Sequence, residues 1–362
     1  MKVRVLIAIT GGIKRDGINT ITLSYLENMN KEELSFDIVS GTIDDPVVEV
    51  EYQQLDCGVI CLSNRKKSPL KYMKELYSLI SKEKYDVMHA MGSSSLLSIE
   101  LGLAKIAGIE NRIAHSRNTA CMYKKSNIIL KPLFNSLYTK GLACSKEAGK
   151  WLFGKKSFDV LPNGLKIESY RFNPEIRCRI RKDLEVENKY VIGHVGRFNK
   201  TKNHPFLLDI FEVAAGKKPE LVLLLIGGGP DHDTIADRIN KSKYKERIIM
   251  YGEASDISQL YSAMDIFVFP SLYEGFGNVL LEAQINSLRC LISDKIPKEV
   301  FVTNQINVLP LDSPVNWANK IVSSLPEKRK DNLSSIDLEK FMEYDIKSNG
   351  KKLESMYLEM GR

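Results

Sequence analysis

Short runs of β-branched and apolar residues alternate with helix-length amphipathic segments along most of this chain, and that alternation admits few folds. Val3–Ile9, Phe36–Ser40, Val87–Ala90, Arg112–Ala114, Gly141–Cys144 and Phe158–Leu161 read as strands. Asn19–Met29, Pro69–Ser81, Leu96–Ala107 and Lys146–Phe153 carry helical spacing between them. Such a series builds a parallel sheet covered on both faces. Pro162-Asn163-Gly164 then makes a strong turn, and Lys166 to Asn188 is polar and charge-rich without strand periodicity. Alternation restarts with strands at Tyr190–Val195, Leu221–Ile226, Ile248–Tyr251, Ile266–Phe269 and Cys290–Ser293. Helical patterns at His204–Ala215, Thr234–Lys241, Ile257–Met264 and Val279–Ser287 separate them, and charged helical sequence from roughly Leu338 to Met360 ends the chain. The expectation is an α/β protein of two Rossmann-like parallel-sheet domains, residues 1–170 and 171–339. Each has its own ligand-binding edge, and a cleft lies between them.

Size agrees, because 362 residues are long for one core. The apolar share of 43% and the charged share of 27% are those of an ordinary globular protein. No apolar run approaches the roughly 18 residues of a membrane span. Met1 to Thr10 has charges inside its apolar stretch and no small-residue cleavage site, so it reads as a first strand and not a secretion signal. Six cysteines (57, 61, 121, 144, 178 and 290) are scattered without a second Cys or His pair, which argues against zinc and for reduced thiols in a cytoplasmic protein. The net charge of +7 is unevenly placed: Cys121 to Val160 holds eight lysines and two acids, interleaved with Tyr123, Ile128, Ile129, Leu133, Phe134, Trp151 and Phe153. Such a run is either a solvated helix face or a surface that meets anionic lipid or a polyphosphate carrier. No recognition motif for nucleic acid accompanies it.

The chemistry concentrates in Pro270-Ser271-Leu272-Tyr273-Glu274-Gly275-Phe276-Gly277-Asn278-Val279-Leu280-Leu281-Glu282. It follows a buried strand and opens an apolar helix, the strand-to-helix junction at which parallel sheets bind ligands. The amides of Phe276, Gly277 and Asn278 would seat a phosphate at the helix N-terminus. Glu274 in the loop and Glu282, two turns into the helix, could accept hydroxyl hydrogen bonds on either side. A sugar, phosphates and a ribose in that order describe a nucleotide sugar, although a helix cap with a solvated glutamate has the same spacing. Arg197 and Lys202 share another strand-to-helix loop and either suit a diphosphate, as a guanidinium fork and a point charge, or form an exposed basic loop. Gly227-Gly228-Gly229-Pro230 is a turn that fails the GxGxxG fingerprint of a dinucleotide site. Asp231-His232-Asp233 looks like a metal-binding DxD but falls at a helix start, where Asp is a common cap. Gly11, Gly12 and Gly17 after the first strand allow close approach of backbone to a ligand. His115 and His89 each lie at the end of a strand, within reach of a sugar or phosphate or serving the fold alone.

The ordered set of Gly11-Gly12, Ala114-His115-Ser116, Leu161-Pro162-Asn163-Gly164, Gly196-Arg197 with Lys202-Asn203, and Glu274 with Glu282 resembles glycosyltransferase family 4 over nearly the whole chain. It is most similar to bacterial transferases of exopolysaccharide and capsule assembly. The resemblance implies the GT-B fold, retention of anomeric configuration, and no cofactor or metal. It implies that Glu274 holds donor-sugar hydroxyls and Glu282 the ribose. Arg197 and Lys202 would bind the diphosphate with the amides near Phe276–Val279, His115 would touch the donor sugar, and Gly12 would lie near the phosphates. The last helix of this fold commonly crosses back onto the first domain, which suits the segment over about 340–362.

Relatives often carry a histidine where this chain has Met91, another where it has Arg117, and Ala-Gly-Leu-Pro where it has Asn286-Ser287-Leu288-Arg289. The expected protein is a cytoplasmic enzyme, peripheral on the inner membrane face. It would move a sugar, by family habit from a UDP-sugar, onto a lipid-linked glycan. An epimerase or hydrolase of nucleotide sugars, or a silent nucleotide-binding subunit, are the alternatives.

Overall fold

A computed structural model describes residues 2–118, 124–254, 256–274, 276–325 and 328–361. The chain forms two compact units, Met1–Leu165 with Glu343–Arg362, and Lys166–Met342. The sequence boundary after residue 170 thus stands late. The helix Ile167–Tyr170 packs within the second unit, where the Tyr170 carbonyl accepts from Asn286 Nδ2 at 2.8 Å.

The first unit is a seven-stranded parallel sheet of order β3-β2-β1-β4-β5-β6-β7. Its strands are β1 (Val3–Ile9), β2 (Leu34–Ser40), β3 (Cys57–Cys61), β4 (Val87–Gly92), β5 (Asn111–Ser116), β6 (Lys140–Ala143) and β7 (Asp159–Val160). Alternation in β1 explains its two cores. Val5, Ile7 and Ile9 pack on one face with Tyr25, Leu353 and Tyr357, while Leu6 and Ala8 meet Tyr72, Leu76 and Ile80 on the other. The helix Ile346–Gly361 therefore belongs to this unit, beside the helix Gly17–Glu27. The charged tail expected as one helix is two, Ser335–Phe341 and Ile346–Gly361. Asp345 resets the chain between them, accepting from Ser348 N at 2.8 Å.

The second unit is a six-stranded parallel sheet of order β10-β9-β8-β11-β12-β13. Its strands are β8 (Tyr190–Val195), β9 (Leu221–Ile226), β10 (Ile248–Gly252), β11 (Ile266–Phe269), β12 (Arg289–Ser293) and β13 (Ile306–Leu309). All six residues of β9 are buried, as a strand covered on both faces requires. In chain order this is the 3-2-1-4-5-6 arrangement, in which strand order reverses between β8 and β11, and ligands bind beyond the carboxyl ends at that reversal. The loops after β8 and β11 carry Lys202 and Glu274.

Candidate functional site

Beyond β8 and β11 two loops are tied together. Leu272 N donates to the Thr201 carbonyl at 2.8 Å, and Asn203 Nδ2 to the Pro270 carbonyl at 3.2 Å. The side-chain stem of Lys202 lies against Gly196, where an added Cβ would come within 2.9 Å of Lys202 Cε. Its ammonium sits 2.7 Å from Glu274 Oε1 and 4.5 Å from the centre of the Phe269 ring. The two side chains are only 14% and 12% exposed, so this is a nearly buried ion pair.

Gly277, at φ +92°, holds the left-handed turn that starts the helix Asn278–Ile285, a conformation an L side chain adopts only with strain. Gly275 lies outside the described residues. The helix leaves the amides of Asn278 and Val279 in its first turn, where an anion is favoured. Glu282 stands one turn into this helix rather than two, because the helix begins at Asn278. It is buried, and Tyr261 Oη donates to its Oε2 at 2.7 Å. Burial pushes its pKa up from 4.5 to about 7, while the Tyr261 hydrogen bond and the Lys202 charge act the other way. No described protein donor meets the other carboxylate oxygen.

Arg197 shares the loop with Lys202 but is exposed, and no described carboxylate pairs with it. Its stem runs beside Gly229, and Phe198 N donates to the Gly228 carbonyl at 2.7 Å, so the triple-glycine turn supports this loop. Lys202 therefore acts on both glutamates, on Glu274 through the ion pair and on Glu282 through its charge, and Arg197 is exposed on the same loop as Lys202. Asp231 precedes the helix His232–Asn240 but makes no side-chain capping bond.

In the first unit Gly12, at φ +92°, turns the chain after β1; an added Cβ would lie 2.5 Å from Thr42 Oγ1. Together with Thr10, Gly11, Lys14, Thr42 and Lys66 it lines a cavity of about 220 Å³. His115 is fully buried, and both of its ring nitrogens are taken, Nδ1 by His89 Nε2 and Nε2 by Arg117 Nη1, each at 3.1 Å. The sugar contact expected of His115 has no nitrogen left to make it. Burial and the Arg117 charge press both histidines below their ordinary range, His89 to about 3.

Within the basic run, Cys121 and Tyr123 lie outside the described residues. Phe134 and Phe153 are core, whereas Ile128, Ile129 and Leu133 are 73%, 75% and 51% exposed. Lys131 is spent on the Leu152 carbonyl and Lys140 on Asp159. Sequence reasoning missed Tyr261 and Tyr357, ordinary helix aromatics whose hydroxyls aim at Glu282 and His89.

Residues 177–331, most of the second unit, match the family described as "Glycosyl transferases group 1". The chain is similar to the UDP-Gal:alpha-D-GlcNAc-diphosphoundecaprenol alpha-1,3-galactosyltransferase of Escherichia coli, 23% identical, covering 95% of this chain and 94% of that one. It is similar to the capsular polysaccharide biosynthesis glycosyltransferase CapH of Staphylococcus aureus, 25% identical, covering 96% of each. Among solved structures, Anabaena HepE in complex with UDP and glucose superposes with a TM-score of 0.79 at 17% identity, over 98% of this chain and 99% of that one. The second unit thus matches the group 1 glycosyl transferases, the relatives that span the chain are glycosyltransferases, and the two parallel sheets have the GT-B fold.

Proposed function

We propose that the protein is a metal-independent, retaining hexosyltransferase of family 4. It moves a sugar from a UDP-sugar to a lipid-linked glycan in capsule or exopolysaccharide assembly. The observation that carries this reading is the nearly buried Lys202–Glu274 pair, with Glu282 close enough for the Lys202 charge to act on it. A relative named for a UDP-galactose donor and a diphosphoundecaprenol acceptor, and another named for capsular polysaccharide, support the substrate classes. In the reaction the bond from anomeric carbon to phosphate oxygen breaks and a bond to the acceptor hydroxyl oxygen forms on the same face. The acceptor's proton passes to the departing phosphate oxygen. Arg197, Lys202 and the amides of Asn278 and Val279 stabilise the charge that develops on the diphosphate. Glu274 holds sugar hydroxyls and Glu282 the ribose.

The purified protein is expected to transfer label from one of a panel of nucleotide sugars to a lipid-diphosphate glycan, with the anomeric configuration kept in the product. Chelators should leave the rate unchanged. Full turnover of donor without acceptor would instead mark a hydrolase or epimerase, and nucleotide binding without turnover a silent subunit.

No helix among the described residues is long and apolar enough to cross a membrane. We assign the meeting with the inner membrane face to Ile128, Ile129 and Leu133, exposed on the helices Lys124–Ile129 and Lys131–Phe134 amid the lysine run. Vesicles containing anionic lipid should bind the protein, less so as salt rises. Ile128→Asp with Ile129→Asp should remove that binding at every salt concentration. Binding unchanged in the variant would return this face to solvent.

A further inference from the structure

Arg117 follows β5 directly, and its backbone N–H continues the β4–β5 ladder by donating to the Gly92 carbonyl at 3.1 Å. Its guanidinium is half-buried and pairs with no carboxylate among the described residues. It donates instead to two neutral acceptors, through Nη1 to His115 Nε2 at 3.1 Å and through Nη2 to Asn163 Oδ1 at 2.8 Å. A guanidinium can only donate, so the His115 Nε2 must accept, and the proton of that neutral ring sits on Nδ1. Nδ1–H then donates to His89 Nε2 at 3.1 Å, which places the second ring's proton on its Nδ1, facing Tyr357 Oη at 2.5 Å. The two imidazoles stack with 9° between their planes. One direction of donation thus runs from Arg117 through both rings to a tyrosine on the last helix. Reversing it would leave a guanidinium N–H facing a ring N–H.

A positive group held this way pays desolvation without an anion to offset it. It stands at the carboxyl edge of β5, next to β4, which adjoins β1 where the strand order of this sheet reverses. That is where a substrate reaches an α/β sheet. His115 and Asn163 take two of its five N–H groups and the Tyr25 hydroxyl also meets the guanidinium, which leaves N–H groups over for an anion. We propose that Arg117 is the anion-binding residue of the first unit, aimed by the His115–His89–Tyr357 chain and by Asn163, and that it takes oxygens of a substrate diphosphate. His115, His89 and Tyr357 are then positioning residues, not substrate contacts. The inference rests on the glycosyltransferase reading for its ligand class, and the diphosphate belongs to the nucleotide or to the lipid carrier.

Calorimetry with UDP and with geranyl diphosphate separates the two sources. Arg117→Gln should weaken one of them about tenfold or more and leave the other within about twofold. Arg117→Lys keeps the charge but cannot fork to both His115 and Asn163, so it should fall between. Tyr357→Phe keeps Arg117 yet removes the oxygen facing His89, and should shift the nitrogen-15 resonances of both rings, a change that loss of packing alone does not produce. Thermal unfolding of each variant checks that it is folded; should Arg117→Gln not fold, Arg117→Lys decides. Wild-type affinity for both probes in the folded variant, binding of neither probe to the wild-type protein, or a His115 spectrum with the proton on Nε2 would overturn the proposal. Transfer assayed on the same preparation keeps the two readings apart. Inactive protein whose diphosphate binding still depends on Arg117 refutes the enzyme reading and leaves this one standing.

Discussion

Lys202→Ala should lower kcat for sugar transfer on the order of 100-fold or more, the usual consequence of removing a preorganised charge from a developing oxyanion. The ammonium has little freedom to be anywhere else. Its stem lies on Gly196, its charge faces the Phe269 ring, and Glu274 holds it at 2.7 Å. The same contacts mean that the substitution also strands a carboxylate that is 12% exposed. Breaking a buried pair on one side costs about 3 kcal/mol or more, so lost activity could reflect a damaged fold. The double variant Lys202→Ala with Glu274→Ala resolves this, because it removes both charges and with them the stranded one. Stability measured by urea unfolding should recover in the double variant, and transfer should not. Activity that returns along with stability would show the pair to be structural and would end the diphosphate assignment.

The central strands were legible because burial on both faces leaves an uninterrupted apolar signature, as in Leu221–Ile226 and Val3–Ile9. Edge strands were not. In β3, Gly58 and Cys61 are exposed, and Ile306–Leu309 in β13 has no fully buried residue, so neither reads as a core run. The helices Pro46–Gln54 and Pro314–Ser324 were passed over although each begins with a proline at its first turn, and Asp45 caps the former by accepting from Val47 N. The placement of Lys202 and Glu274 on loops that follow buried strands was legible, since β8 and β11 are both apolar runs that end just before them.

What the linear chain concealed was who meets whom. Tyr261 and Glu282, on successive helices 21 positions apart, are bonded at 2.7 Å, and Tyr357 reaches His89 across most of the chain. Such partners follow from sheet order and helix return, neither of which a local window contains. His115 illustrates the consequence. Its place at the end of β5 suggested a ligand contact, yet the neighbour two residues on takes the nitrogen that contact needs. The departure from relatives at position 117 was visible in the sequence; its effect on position 115 was not.

Glu282 provides the second large effect, through pH. Its pKa in the folded chain is raised from 4.5 to about 7, chiefly by burial. Between those values the folded protein holds the proton more tightly than the unfolded chain does, so stability falls as pH rises. The contribution is fully present below about 4.5 and is lost as pH climbs through about 7, a swing of about 3 kcal/mol at 1.4 kcal/mol per unit. Glu282→Gln, which can still accept from Tyr261, should abolish that slope. Its stability relative to wild type should therefore rise between pH 5 and 8. Trp317, buried in the same unit, reports the transition by fluorescence once Trp151, the other of two tryptophans, is replaced by Phe. The ligand offers an independent reading. Ribose hydroxyls donate best to a carboxylate, so UDP should bind more tightly from pH 6 to 8 and release a proton as it does. The nucleotide's own terminal phosphate titrates in this range as well, and the share owed to Glu282 is the part that Glu282→Gln removes. Parallel pH profiles for the two proteins, in stability and in affinity alike, would mean that this carboxyl is neither poised near neutrality nor turned toward the ribose.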